Sequence, residues 1–242
     1  VGADAMQLLD CFDRICIINL PERRDRRRQV ERELSRLGLR ADGQRIRFVP
    51  GIRMTAASPF PSTGARGCYL SHLAVLRQAL ADGVGSVLVL EDDVSFAPAL
   101  AQPQPDLSAA LLAGGWDFAY PGHTAPCPAD VPRWQITQRP LVCAHCYAVS
   151  RDALGPLVAY LEACLMRPPG DPAGGPMHVD GALSMFRAQA PERITLICAP
   201  SLVRQRGSRS DIAGSRWFDR GLLRPLSASL RALRELGRRA HA

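Results

Sequence analysis

Residues 86–93 read SVLVLEDD, an unbroken apolar run that ends in three adjacent acids, Glu91, Asp92 and Asp93. Gly83 and Gly85 close off the preceding segment, so the run is bounded as a short buried strand should be. Alternate residues of an extended chain point the same way. Glu91 and Asp93 can therefore share one site, with Asp92 also available to it.

Outward from this strand, residues 14–20 (RICIINL) form a second β-branched run that stops at Pro21. The charged segment 22–37 carries Val30, Leu34 and Leu37 at helical spacing. It predicts an amphipathic helix with an arginine-rich outer face, ended by Gly38. Residues 45–50 predict a strand and residues 54–64 a loop rich in Pro, Ser, Thr and Ala. Residues 66–81 predict a helix with Leu70, Leu73, Leu76 and Leu80 as its stripe and Ser71 and His72 turned away from it.

Further along, helices are expected over 106–113, 152–164 and 180–188, and strands over 116–120, 141–149 and 194–199. Residues 122–132 read as a loop. Residues 167–176, dense in Pro and Gly, read as a surface loop able to act as a lid. Residues 201–215 read as polar and irregular. Strands alternating with helices predict an α/β fold with a mostly parallel sheet flanked by helices. Residues 11–215 form the domain, and residues 216–242 are expected to be a basic amphipathic tail able to rest on an anionic membrane.

In such sheets ligands bind beyond the carboxyl ends of the strands. Two polar clusters fall there: Asn19-Leu20-Pro21-Glu22-Arg23-Arg24, and the acidic triplet. Carboxylate oxygens suit hard divalent cations such as Mg²⁺ or Mn²⁺, which keep waters and substrate phosphates in their shells. Arginine clamps phosphate in bidentate fashion. A third cluster, Gly64–His72 in sequence GARGCYLSH, brings glycine and a helix start, both suited to anions. A fourth, His178-Val179-Asp180-Gly181, places Asp180 at a helix start as an N-cap, a metal ligand or a general base. Residues 205–211 (QRGSRSD) are a fifth. Cys143 and Cys146 lack a second pair of zinc ligands at suitable spacing.

The 242 residues suffice for one sizeable domain. The net charge of +7 is carried by arginine alone, since lysine is absent. Phosphorylated ligands, membranes and nucleic acid all fit a basic balance. The few aromatics are not interleaved with basic residues, which argues against nucleic acid. Eight scattered cysteines, a first ten residues without signal-peptide character, and no apolar run of membrane-span length predict a cytoplasmic protein, peripheral at the inner membrane face if the tail docks there.

Ile17-Ile18-Asn19-Leu20 with Arg23 and Arg24, then Gly67-Cys68-Tyr69-Leu70-Ser71-His72, then Leu88-Val89-Leu90-Glu91-Asp92-Asp93-Val94, resemble glycosyltransferase family 25 in order and spacing. This is the family of bacterial lipooligosaccharide galactosyltransferases and collagen galactosyltransferase domains. Weaker matches follow at residues 145–151, 178–180 and 200–211. The resemblance implies a GT-A-like fold, a UDP-sugar donor and inversion at the anomeric carbon. It implies transfer of a hexose, galactose being the family's frequent choice, to a saccharide hydroxyl in lipopolysaccharide, lipooligosaccharide or another cell-surface glycan.

On that reading Asn19, Leu20, Arg23, Arg24, Arg66, Ser71 and His72 contact the donor. Asp93, with Glu91 and His178, holds Mn²⁺ or Mg²⁺. Asp180 is the first candidate for the general base, ahead of Glu91 and Asp92. The alternatives are a nucleotidyltransferase-like enzyme and a catalytically silent relative that binds a sugar or a protein.

Overall fold

A computed structural model describes residues 7–207 of the chain. The expected tail, residues 216–242, lies outside the described residues.

Nine strands and five α-helices alternate along this unit: β1 (Arg14–Asn19), α1 (Arg24–Arg36), β2 (Ile46–Pro50), α2 (Thr63–Ala81), β3 (Ser86–Glu91), β4 (Val94–Phe96), α3 (Pro105–Leu112), β5 (Phe118–Tyr120), β6 (Arg133–Ile136), β7 (Cys146–Ser150), α4 (Arg151–Met166), α5 (Val179–Ala188), β8 (Thr195–Ala199) and β9 (Val203–Gln205). Seven strands form one sheet in the order β2-β1-β3-β7-β5-β8-β6. Strands β2, β1, β3, β5 and β8 run one way, while β7 and β6 run against them. The sheet is thus mostly parallel, in a mixed α/β architecture.

Both faces of the sheet are covered, which is why β1 and β3 are apolar at every position between their end residues. Cys16, Val87 and Val89 point into a core shared with α2, α4 and α5 through Leu73, Leu76, Leu157, Leu161 and Leu183. Ile15, Ile17, Leu88 and Leu90 point into the opposite core, where α1 and α3 supply Val30, Leu34, Leu107 and Leu111. Register then aligns the strand ends: Ile18 pairs with Glu91, and Asn19 with Pro50. Next to them β7 begins, with Cys146 opposite Leu90, and the Glu91 amide donates to the His145 carbonyl at 3.0 Å.

Helix α2 departs from its expected pattern. Leu80 is 43% exposed, whereas Tyr69, Ser71, His72, Leu73, Leu76 and Ala79 are buried. The helix lies between the sheet and α4, so small and polar residues are enclosed along with leucines. It starts three residues early because the Ser62 hydroxyl accepts the Ala65 N–H at 3.0 Å. The loop between α4 and α5 is also packed: Arg167 donates to the carbonyls of Ala173 and Gly174, and Gly174, Gly175 and Pro176 are buried.

Strands β4, β6 and β9 were not expected from the sequence. Strand β6 borders β8 at the sheet edge. Strands β4 and β9 form a separate two-stranded ribbon in which Val94 pairs with Gln205 and Phe96 with Val203. The ribbon returns residues 203–206 to the end of β3.

Candidate active site

The acidic triplet sits where β3 leaves the sheet and turns into β4. Its three side chains separate into two environments, with Asp92 and Asp93 in the turn between β3 and β4. Asp92 turns toward β1 and α1. Its Oδ2 accepts from Asn19 Nδ2 at 2.8 Å, and its Oδ1 accepts from Arg26 Nη1 at 2.8 Å. All three residues are buried. Arg26 was expected on a solvated arginine face; it instead points inward from the first turn of α1 because a buried carboxylate needs a charged partner.

Glu91 and Asp93 face the other way. One amide, Gln205 Nε2 of β9, lies 3.2 Å from Asp93 Oδ2 and 3.4 Å from Glu91 Oε2. Arg26 Nη1 reaches Asp93 only at 3.9 Å. The remaining Asp93 oxygen, Oδ1, is buried and makes no hydrogen bond. Burial and then the Glu91 charge raise the Asp93 carboxyl to about 6, against the weaker pull of Gln205 and Arg26. Arg206 braces the turn from behind: its amide donates to the Asp93 carbonyl at 2.7 Å and its Nη2 to the Asp92 carbonyl at 3.0 Å.

The other Glu91 oxygen, Oε1, faces α2. His72 Nε2 is 3.4 Å away and Cys68 Sγ 3.8 Å away. His72 Nδ1 pairs with the Tyr147 hydroxyl at 3.0 Å, and the two rings stack with centroids 5.7 Å apart. Burial would raise the Glu91 carboxyl, but His72, His145 and Arg26 together hold it below its ordinary range.

Asp180 occupies the second position of α5, one residue inside the helix start, and accepts the Gly181 N–H at 2.8 Å. Burial raises its carboxyl, with Glu91 adding to the rise and His178 opposing it. The Cys68 thiol is pushed well up by burial, then by Glu91, Asp180 and Asp93. One thiol therefore feels all three carboxylates. Gln205, Arg26, Cys68 and Tyr147 complete the group of residues that sequence reasoning had not assigned a role.

Other candidate residues have different surroundings. Arg23 forms a two-point ion pair with Asp25, and Arg24 is exposed at the first position of α1. Leu20 accepts the Arg23 amide through its carbonyl. Arg66 donates to the carbonyls of Ala56 and Ser58, holding the loop before α2. Ser71 donates to Gly67 and accepts the Ile52 amide, both at 2.7 Å, tying the chain after β2 to α2. A Cβ at Gly67 would lie 2.3 Å from the Ile52 carbonyl oxygen, so glycine is what permits this close approach.

The donor set fits a hard cation. Two carboxylates on one side of a turn share a neutral amide, and one buried oxygen lacks a partner. The nearest fixed positive charge, Arg26, is 3.9 Å from Asp93 and engaged more closely by Asp92, so the two carboxylates are only partly balanced.

The family model described as "Glycosyltransferase family 25 (LPS biosynthesis protein)" matches residues 12–111. That stretch is similar to glycosyltransferase family 25. The matched segment contains Asn19, Arg26, Cys68, His72 and the whole acidic triplet. A glycosyltransferase 25 family member of Aedes aegypti is 32% identical over 54% of this chain and 24% of its own length. Procollagen galactosyltransferase 2 of Mus musculus is 30% identical over 46% of this chain and 21% of its own. The inactive glycosyltransferase 25 family member 3 of Homo sapiens is 30% identical over 46% and 22%. The chain thus spans less than a quarter of the length of these relatives.

Proposed function

We propose that this chain is a glycosyltransferase that moves a hexose from a nucleotide-sugar donor to a hydroxyl of a saccharide acceptor. The observation that carries the reading is the split of the acidic turn. Asp92 is neutralised by Arg26, while Glu91 and Asp93 face one side with only an amide between them.

In this reading Glu91 and Asp93 hold a divalent ion, Mn²⁺ or Mg²⁺, with His178 assisting. The ion's chemistry is to neutralise charge on the departing diphosphate. Asn19 and Arg26 fix the turn that aims the two carboxylates. Asp180 takes the proton of the attacking hydroxyl; its raised carboxyl is what a base working near neutrality needs. One base and one displacement give inversion at the anomeric carbon. The donor is a UDP-hexose, and galactose is the sugar named for the murine relative. The domain is read as GT-A-like. Its acceptor is a lipopolysaccharide-type glycan, in keeping with the family description. The reaction is assigned to the cytoplasm, where buried thiols such as Cys16, Cys146 and Cys198 stay reduced.

The test is a panel of UDP-hexoses with Mn²⁺, scored for UDP release with and without saccharide acceptors. One donor should release UDP faster when an acceptor is present, and product NMR should show the inverted anomer. Asp180→Asn should lower turnover by ~10²–10⁴-fold and leave donor affinity unchanged. If no donor yields UDP with any acceptor, the chain shares the condition of its inactive human relative and the reading fails.

A further inference from the structure

Cys68 and His72 stand four residues apart on α2 and so project from one face of the helix. Glu91 Oε1 completes a triangle with them. It lies 3.4 Å from His72 Nε2 and 3.8 Å from Cys68 Sγ, and the three atoms all fall within 4.8 Å of one another. Zinc bonds of ~2.0–2.3 Å at tetrahedral angles separate neighbouring ligand atoms by roughly 3.3–3.6 Å. Two edges of the triangle are already near that length.

His72 supplies an independent observation. It is 1% exposed, and its buried Nε2 makes no contact of hydrogen-bond geometry; the polar atom it faces is the Glu91 oxygen of the triangle, 3.4 Å away. Its other nitrogen is held by Tyr147, an arrangement that leaves the Nε2 lone pair available when Nδ1–H donates to the phenol oxygen. A metal-bound imidazole is oriented in this way, through a hydrogen bond from its far nitrogen. A thiol and an imidazole also select against Mg²⁺ and Mn²⁺ and favour a softer ion.

We propose that Cys68, His72 and Glu91 form a binding site for a zinc-class divalent cation, distinct from the hard-cation side of the acidic turn. Three protein ligands leave a fourth position for water or a substrate atom. Glu91 belongs to both sides, through Oε1 here and through Oε2 at Gln205. Filling the thiol site draws Glu91 toward α2. On the transferase reading above, zinc is therefore an inhibitor that does not need to displace the ion at Asp93.

The test uses Co²⁺ as a spectroscopic stand-in, on the full-length chain under reducing conditions. One equivalent should produce a near-ultraviolet thiolate-to-cobalt charge-transfer band and tetrahedral visible bands, and Zn²⁺ should bleach both. Cys68→Ser should abolish the charge-transfer band, and Cys146→Ser should keep it. Tyr147→Phe should weaken binding by ~10–100-fold. X-ray absorption at the bound metal of the unaltered protein should count one sulfur and one imidazole nitrogen, which requires no variant to fold. Absence of the charge-transfer band, its survival in Cys68→Ser, or a count of no sulfur or of two would overturn the site. These readouts do not depend on turnover, so they stand or fall apart from the transferase assignment. Given turnover, Zn²⁺ should depress UDP release at saturating Mn²⁺; undiminished release with the cobalt site intact would overturn the inhibitory role alone.

Discussion

Asp92 and Asp93 are adjacent, almost equally buried at 6% and 5% exposure, and opposite in circumstance. Asp92 has its charge matched by Arg26 and its second oxygen filled by Asn19. Asp93 has a neutral amide on one oxygen, with Arg26 no nearer to it than 3.9 Å, and no hydrogen bond on the other. A protein can bury a carboxylate for its own cohesion or for a guest, and the partners reveal which. The α1 side of the turn is closed, and the β9 side is built to be completed.

The largest expected effect is on the closed side. Asp92→Ala leaves the Arg26 guanidinium buried without its carboxylate, and breaking such a pair costs ~3–5 kcal/mol. Thermal and denaturant unfolding should both record the loss. Replacing both partners with apolar residues, as in Asp92→Leu with Arg26→Met, should recover most of it. If Asp92→Ala is as stable as the parent, the pair is not what holds the turn, and the contrast between its two sides collapses.

The second effect is on the open side and reverses the signature. Asp93→Ala removes a carboxylate that the fold keeps at a cost, so stability should hold or rise slightly. Turnover should fall by ~10²–10³-fold, the usual loss when one group that stabilises transition-state charge is removed. Binding of Mn²⁺, read by calorimetry, should weaken in step. A variant that loses stability and keeps turnover would make Asp93 a second Asp92.

How far this contrast could be read in the sequence depends on the range of the forces involved. The apolar runs at β1 and β3 announce themselves, because burial on both faces forces every position to be apolar. The sharing of one site by Glu91 and Asp93 was expected from strand alternation, yet Asp92 and Asp93 lie in a turn, so it is the turn that sends Asp92 the other way. Arg26 was not legible: it sits among Arg23, Arg24, Arg27 and Arg28, and only the packing of α1 on the sheet selects the one that turns inward. Gln205 was hidden for a similar reason. Strands β4 and β9 are three residues each, too short to show a period, and their pairing spans more than a hundred residues of chain. The leucine stripe on α2 misplaced Leu80 and overlooked the burial of His72, because a helix packed on several sides has no single apolar face.

The smallest effect is a pH slope, and it separates the two sides without a mutation. Burial and the Glu91 charge lift the Asp93 carboxyl from 3.8 to about 6, while Glu91 itself is held low by His72, His145 and Arg26 against the effect of its burial. Between pH 4 and 6 Asp93 is thus the member of the metal-facing pair that still holds a proton, which an incoming cation must displace. Affinity for Mn²⁺ should climb by about tenfold per pH unit through that window and flatten above it. Stability of the ion-free protein should run the other way. The folded carboxyl binds its proton more tightly than the unfolded one, so this contribution is full below pH 3.8 and is lost as the pH rises through about 6. Saturating Mn²⁺ should cancel the Asp93 loss, and Asp93→Asn should remove the Asp93 share of both slopes, leaving that of the likewise raised Asp180. Mn²⁺ affinity that stayed level from pH 4 to 7 would mean that Asp93 is ionised and matched like its neighbour, leaving the acidic turn with no open side.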